Sequence, residues 1–287
     1  MFNCVDQALL DLWHPLCATD ALPLGASMET RLLGQRLGIL RAAGGDFRVF
    51  RAEDKSATTL PVQSAYGFVW TSPGRPKPIF PIPEYHEPDR RNVAVASVGV
   101  NVSAPRAIEN FLDMGHFPYV HAGILGAEPR TEVKEYDVEI SVDRDEILAT
   151  RCRFFQPMAS TVSTSGADVD YIYRVPHPFC SVLYKSSPLD ERRMDVICLF
   201  LQAMDHERIR AHMLLSILDD EHDDTFIRRF QLLIFGQDKP ILENQVPKRL
   251  PLDPRAETPI RADKSAIAYR RWLSQKGVTY GVIPSSA

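Results

Sequence analysis

Long apolar runs, basic clusters and leader features are absent from this sequence of 287 residues. No apolar run approaches the ~20 residues that span a bilayer, so we expect no membrane anchor. A secretory signal needs a basic start and an apolar core, and the first lysine or arginine here is Arg31. The formal net charge is only −4 and no basic stripe is present, which argues against nucleic acid as a partner.

Cysteine is also scarce. The chain has five cysteines, an odd number without regular spacing, at Cys4, Cys17, Cys152, Cys180 and Cys198. This pattern favours reduced thiols and a cytoplasmic location over a disulfide framework. Motifs of the G-x-S-x-G, P-loop and G-x-G-x-x-G types are missing, so hydrolase, kinase and direct nicotinamide-binding functions lack support.

Two regions are indicated by the arrangement of prolines. Residues 31–40, 46–50 and 66–70 have the composition of short strands separated by turn residues. A proline-rich stretch over residues 73–88 follows, and proline fixes φ and lacks an amide proton, which predicts an extended connector. We therefore expect an all-β region at residues 1–80 and a larger domain at 81–287.

The larger region has the pattern of an α+β fold. A strand is predicted over 93–102, and Ser103 is a candidate cap for the helix that follows it. Alternating runs then predict an antiparallel meander of strands at 135–142, 146–155, 169–175, 180–185, 195–203 and 208–218. Helical patterns are predicted at 223–236, 240–247 and 263–276. Such a sheet, wrapped around helices, can enclose a cavity for an apolar ligand.

A metal site is suggested by His116 and His121. On a regular helix five steps of 100° leave these side chains about 140° apart, but Pro118 lies between them and must break or loosen the helix. Both imidazoles can then converge on one ion. Iron(II) that binds oxygen needs two neutral imidazoles, one carboxylate and open positions, so a third ligand must come from elsewhere. Asp113 and His116 are three residues apart and are expected to share a helical face.

The pattern N-x-x-D-x-x-H-x-x-x-x-H that runs from Asn110 to His121 resembles the iron-binding helix of Rieske non-haem iron oxygenases. Residues 235–245, FGQDKPILENQ, resemble the family's second signature, although Gln237 replaces the usual glutamate. Residues 267–273 resemble its demethylase branch, and residues 13–17 resemble the start of such subunits. Residues 107–114 and 244–251 resemble the cluster-lacking N7-demethylase components of bacterial methylxanthine degradation.

The resemblance implies a helix-grip (START-like) catalytic domain behind a Rieske-like β-domain. It implies that His116, His121 and Asp238 hold Fe(II), with Asp238 opening a helix. It implies that Asp113 relays an electron from a neighbouring cluster ligand, with Asn110 in a supporting role. The reaction implied is a monooxygenase hydroxylation with O2, which on an N- or O-methyl group ends in demethylation and release of formaldehyde. A homotrimer or a dimer of trimers is the expected assembly.

The family's Rieske cluster cannot be bound by this sequence. A Rieske centre needs two cysteines and two histidines, in the form C-x-H and C-x-x-H. None of the five cysteines has a histidine two or three residues further on. Only residues 51–65 join the strands between which the cluster-binding fingers lie in the family. We therefore expect a degenerate Rieske-like domain without [2Fe-2S], and electrons supplied in trans from NAD(P)H through a Rieske-containing reductase or oxygenase subunit.

Two other functions remain open at this point. The chain is alternatively a non-catalytic helix-grip module that binds a ligand, or a structural subunit of a Rieske oxygenase complex. A pure binding module has no need to keep His116, His121 and Asp238 together, so the ligand triad discriminates between these functions. The expected substrate is a small aromatic or heterocyclic molecule of the methylxanthine kind, with a methoxy-aromatic substrate or a ring hydroxylation as rivals.

Overall fold

The chain folds mainly through antiparallel strands, and a computed structural model describes residues 4–53, 59–158 and 165–285. The first part contains a short helix and two small antiparallel sheets, of strand order β2-β3-β4-β5 and β1-β7-β6. The elements are α1 (Gln7–Leu10), β1 (His14–Ala18), β2 (Ser27–Leu32), β3 (Gln35–Arg41), β4 (Phe47–Arg51), β5 (Thr59–Leu60), β6 (Val62–Ala65) and β7 (Phe68–Thr71).

Two tight hairpins in this part differ from the sequence-based strands. Leu33 and Gly34 have φ values of 47° and 79°, so the predicted run 31–40 is two strands, β2 and β3, joined by a two-residue turn. Tyr66 and Gly67, at 54° and 77°, likewise turn β6 into β7 and do not belong to the strand predicted at 66–70. Turns with both φ values positive match the right-handed twist of paired strands. Leu33 and Tyr66 are residue types that rarely mark such turns, which is why the pattern missed them.

A large antiparallel sheet follows the proline-rich connector. Its strands are β8 (Arg91–Val100), β9 (Asp137–Ser141), β10 (Glu146–Gln156), β11 (Ala167–His177), β12 (Cys180–Ser186), β13 (Met194–Asp205) and β14 (Arg208–Ile217). Across the described residues the strand order is β8-β14-β13-β12-β11-β10-β9. The predicted α+β class and antiparallel meander are confirmed, because each of the six alternating runs forms one strand beside its neighbour in sequence.

The two faces of this sheet have different neighbours. Phe200 and Leu214 pack with Phe68 and Trp70 of the first part, whose rings lie 5.8 and 5.1 Å from the Phe200 ring. Side chains alternate between faces along a strand, and Leu199, next to Phe200, instead lines a cavity on the other side. The first part therefore covers one face of the sheet and leaves the other for helices. The domain division near residue 80 stays a prediction.

Helices cover the other face. They are α2 (Ala104–Leu112), α3 (Phe117–Val120), α4 (Asp224–Asn244) and α5 (Lys264–Gln275). Single 3-10 turns lie at Pro83–His86, Pro254–Ala256 and Arg261–Asp263, and a short parallel pair is formed by β15 (Leu250–Pro251) and β16 (Val282–Ile283). Among the helices of the described ranges, none combines the length and the apolar character that a membrane span requires.

Helix α4 corrects one sequence-based expectation. Separate helices were predicted at 223–236 and 240–247, with Pro240 opening the second, but one helix runs through both and contains Pro240. A proline inside a helix removes one hydrogen bond and crowds the carbonyl four residues earlier, which here belongs to Gly236. Burial of Phe235 and Leu242 on either side holds the two halves together. Asp238 consequently lies within a helix and does not open one.

Candidate metal centre

The chain leaves the helical path before the first histidine. Ser103 caps α2 by accepting a hydrogen bond from the amide of Arg106, and the helix ends at Leu112. Asp113 is extended, with ψ of 118°, and α3 starts again at Phe117 with Pro118 in its first turn. The break expected at Pro118 therefore lies at Asp113, because proline suits the first turn of a helix. Asp113 and His116 meet across this break and not along a shared helical face.

Three ligand atoms converge at this break. His116 Nε2 lies 3.2 Å from His121 Nε2, and Asp238 Oδ1 lies 3.4 Å and 3.1 Å from these two nitrogens. Among the described residues, these three side chains form the group of histidine, cysteine and acidic residues able to hold a metal ion. With metal–ligand bonds of about 2.1 Å, two ligands at right angles lie about 3.0 Å apart. The spacing therefore fits three ligands on one face of a single ion.

Each histidine is oriented through its second ring nitrogen. His116 Nδ1 donates to Asp113 Oδ2 at 3.1 Å, and His121 Nδ1 donates to Gln237 Oε1 at 2.9 Å. A hydrogen bond from Nδ1 fixes the tautomer in which Nε2 has a free lone pair. Both imidazoles thus present Nε2 to the same point. Sequence reasoning assigned no role to Gln237, although its place directly before Asp238 in the second signature was a usable signal.

Asp238 and Asp113 are each held by one further contact. Asn110 Nδ2, on α2, donates to Asp238 Oδ1 at 3.2 Å, which ties α2 to α4. Asp113 in turn accepts a hydrogen bond from the amide of Gly115 at 2.7 Å. The five predicted site residues, Asn110, Asp113, His116, His121 and Asp238, are thus all brought together by the fold.

The charges of the site favour a cation. Burial by itself would lower the pKa of His116, but hydrogen bonds to Asp113 and Asp238 outweigh it and raise that pKa to about 9. Burial would raise the pKa of Asp238, and the two histidines instead hold it below its usual value. A carboxylate beside two buried imidazoles thus stays ionised. Two imidazoles and one carboxylate on a face with open positions is the ligand set of non-haem Fe(II) oxygenases.

The inner side of the centre opens into an apolar cavity. The ligand side chains lie in its helical wall, and strands β10 to β14 form its other wall. The lining is mainly aromatic and aliphatic and includes Phe111, Phe117, Leu125, Tyr171, Ile197, Leu199, Met213, Phe230, Ile234 and Phe235. Such a lining excludes water from the space next to the ligands and suits a small organic molecule.

The outer side faces a second hollow with a different lining. Asp113 lies there and is absent from the wall of the apolar cavity, whereas His116 and Asn110 line both. The wall of this outer hollow carries Arg106, Glu109, Glu257 and Arg270, which form a network of ion pairs. His116 therefore connects the apolar cavity with a charged surface hollow through its bond to Asp113.

The chain is similar to several known proteins. A family model described as the vanillate O-demethylase oxygenase C-terminal domain matches residues 100–277. A probable methylxanthine N7-demethylase, NdmC, of Pseudomonas sp. (strain TJI-51) is 46% identical over 95% of this chain and 96% of that protein. The methylxanthine N1-demethylase NdmA of Pseudomonas putida is 27% identical over 74% of this chain and 59% of that protein. The solved structure of NdmA from Pseudomonas putida CBB5 has a TM-score of 0.75 at 20% identity, covering 94% and 92% of the two chains, a likeness of fold alone.

Proposed function

The chain belongs to the Rieske non-haem iron oxygenases, and from this premise we propose that it is the oxygenase component that removes an N-methyl group from a methylxanthine-like heterocycle. The observation that carries the proposal is the convergence of His116, His121 and Asp238 at the wall of an apolar cavity. The 46% identity to a probable methylxanthine N7-demethylase over nearly the whole chain supports the choice of reaction.

The overall reaction replaces one methyl C–H bond by C–OH. One atom of O2 enters the substrate, and the other leaves as water with two electrons and two protons. The resulting N–CH2OH group then loses formaldehyde and leaves N–H on the ring. Fe(II), when bound by the three ligands, supplies the activation of O2.

The chain's own residues prepare this chemistry. Asp113 and Gln237 fix the imidazole tautomers, and Asn110 holds the Asp238 carboxylate in place through α2. Phe117 and Leu125 help to keep water from the reacting methyl group, because they line the cavity next to His121. Removing water limits side reactions that would damage the site.

Electrons must come from another protein in this proposal. The sequence offers neither C-x-H nor C-x-x-H, so it has no ligand set for [2Fe-2S]. The proposed donor is a Rieske centre in a reductase or a second oxygenase subunit, which receives electrons from NAD(P)H. Asp113, in the outer hollow and bonded to His116, is the proposed entry point.

Residues 1–80 are proposed to be a Rieske-like β-domain that has lost its cluster-binding fingers, and 81–287 to be the helix-grip catalytic domain. Part of the shortened connection, residues 54–58, lies outside the described residues. A homotrimer or hexamer in the cytoplasm is proposed, and the five free, buried thiols are compatible with a reducing compartment.

Reconstitution tests the proposed function. The iron-loaded chain, NADH and a Rieske-containing reductase are supplied with 7-methylxanthine, and formaldehyde and the demethylated xanthine are measured. We expect both products in equal amounts, and at least a tenfold lower rate when the donor lacks a Rieske centre. Equal rates with the Rieske-containing donor and with a cluster-free donor would contradict the proposal that a Rieske centre supplies the electrons in trans. Iron-loaded protein that gives no product with any donor would instead favour a binding module.

A further inference from the structure

Three polar side chains interrupt the apolar sheet wall of the cavity. Gln156 on β10, Tyr173 on β11 and Lys185 on β12 line the same space as the metal ligands. Their exposures are only 1%, 2% and 8%, so none of them is solvated by bulk water. Lysine and glutamine are seldom buried this deeply unless they are paired. We call these three side chains the polar corner.

Two atoms of the polar corner have no protein partner. Gln156 donates through Nε2 to the Tyr171 hydroxyl, but its Oε1 is buried without a hydrogen bond to any described residue. The Tyr173 hydroxyl is also buried without a partner among the described residues. Buried polar atoms are nearly always hydrogen-bonded in native proteins, so unpartnered ones at a cavity wall point to a bound molecule.

Lys185 adds a donor with a positive charge. In the register of the sheet, Lys185 lies opposite Tyr171 on β11 and opposite Asp195 on β13. The three side chains therefore lie in one row across the sheet. Burial lowers the pKa of Lys185 to about 8, and Asp195 opposes that shift. The ammonium form therefore still predominates at neutral pH. Asp195 is fixed by a hydrogen bond from the amide of Leu218 to its Oδ1, at 2.9 Å. An ammonium group has three N–H donors, so an interaction with Asp195 still leaves donors for a ligand.

We propose that the polar corner determines substrate specificity, and that it binds the edge of a heterocycle in which a ring N–H adjoins a carbonyl group. The carbonyl oxygen accepts from Lys185 and the ring N–H donates to Gln156 Oε1, because both side chains flank Tyr171. The Tyr173 hydroxyl, two residues further along β11, serves a second polar atom of the ring. This assignment rests on the proposed function for the placement of the N-methyl group at the helical wall. The ring then spans the apolar space between the metal ligands and the sheet.

Lys185 and Gln156 contribute differently to the binding of a methylxanthine. Lys185 serves carbonyl groups, which every methylxanthine has, so it contributes affinity to all of them. Gln156 Oε1 is an acceptor and can serve only a ring that keeps an N–H group. A fully methylated ring leaves that acceptor buried and unpaired, which costs about tenfold or more in affinity. The polar corner is therefore expected to prefer rings with free N–H groups.

Binding of two matched ligands tests this directly. 7-Methylxanthine and caffeine both carry the N7-methyl group, but caffeine has methyl groups in place of both N–H hydrogens of the six-membered ring. Dissociation constants are measured by calorimetry on the anaerobic, iron-loaded chain, without turnover. We expect wild-type protein to bind 7-methylxanthine at least tenfold more tightly than caffeine. Equal affinities, or no binding of either xanthine, would overturn the proposal.

Variants then assign the preference. Gln156→Met should reduce the preference to less than about threefold, and Lys185→Met should weaken both ligands by about tenfold or more with the preference kept. Lys134→Met, the same lysine-to-methionine change at an exposed position outside the cavity, is the matched control and should alter neither. A preference that persists in Gln156→Met overturns the role of that residue. Iron content and circular dichroism check the fold of each variant, and the wild-type ratio tests the proposal even if a variant fails to fold.

Failure of this inference differs from failure of the proposed function. Iron per chain and formaldehyde release report on the reaction, whereas the ratio of the two dissociation constants reports only on the polar corner. An active demethylase without ligand preference would overturn the corner and leave the reaction intact. A clear preference for 7-methylxanthine in a chain that never turns over would support the polar corner and contradict the proposed reaction.

Discussion

The inner side of the metal centre is lined by aromatic and aliphatic side chains, whereas the outer side carries Asp113 and a network of arginine–glutamate pairs. His116 is shared by both sides, and His121 is almost completely buried on the inner one. This difference separates two requirements of the proposed reaction. A dry space holds the substrate, and a charged surface next to a ligand histidine is available to an electron donor.

Removal of a ligand should abolish the centre and therefore gives the largest effect. Substitution of a residue that hydrogen-bonds to a metal ligand lowers metal affinity or activity about 10- to 100-fold. Substitution of a ligand itself should have a larger effect. We expect His121→Ala and Asp238→Ala to lose bound iron and all turnover, measured by metal analysis after anaerobic loading. His86→Ala, which changes a histidine outside the site, is the control and should keep its iron. Full iron content in both ligand variants would contradict the assigned site.

Asp113→Asn should damage the outer side while sparing the inner one. The amide keeps the shape of the side chain but removes the charge that faces His116. We expect donor-dependent turnover to fall about 10- to 100-fold, with iron content and xanthine affinity within threefold of wild type. Asp263→Asn, in the same hollow, is the matched control. If Asp113→Asn turned over as fast as wild type, electron entry through Asp113 would be contradicted.

Iron binding should depend on pH through His116. The pKa of His116 is raised to about 9 in the metal-free chain, and only a neutral imidazole can bind iron. Below that value each iron must displace a proton, so the apparent affinity should rise about tenfold per pH unit between pH 7 and 8 and level off above 9. Competition with a chelator measures this slope. Asp113→Asn should flatten it, whereas an affinity independent of pH in wild-type protein would contradict the proton competition.

A smaller effect is expected from crowding the backbone of α3. A Cβ atom at Gly126 would lie 2.6 Å from the backbone nitrogen of Pro118, between the two histidines. Overpacking of this kind costs about 1–3 kcal/mol, so Gly126→Ala should lower the free energy of unfolding by that amount in urea titrations. It should also weaken iron binding severalfold. Gly44→Ala, where no atom lies within 4 Å, is the control.

The fold class and the three candidate ligands could be predicted from the sequence. The α+β class and the strands of the large sheet followed from alternation of apolar residues, because each strand has one face on the cavity or core. His116, His121 and Asp238 were predicted from motif likeness, and the fold brings them within 4.8 Å of one another. Their roles as iron ligands stay a prediction.

The parts that were missed depend on long-range packing. Helix α4 passes through Pro240 because Phe235 and Leu242 are buried on both sides, which local rules for proline do not include. The turns at Leu33 and Tyr66 carry residues that are unusual at positive φ. The polar corner joins Gln156, Tyr173 and Lys185 from three strands, and no spacing in the sequence relates them.

The most direct test of the central claim is the content of iron and acid-labile sulfide in the anaerobically purified chain. We predict about one iron and no sulfide per chain, because the described residues contain one ligand triad and the sequence lacks a Rieske ligand set. No iron even after anaerobic loading with Fe(II), or sulfide in stoichiometric amount, would contradict it.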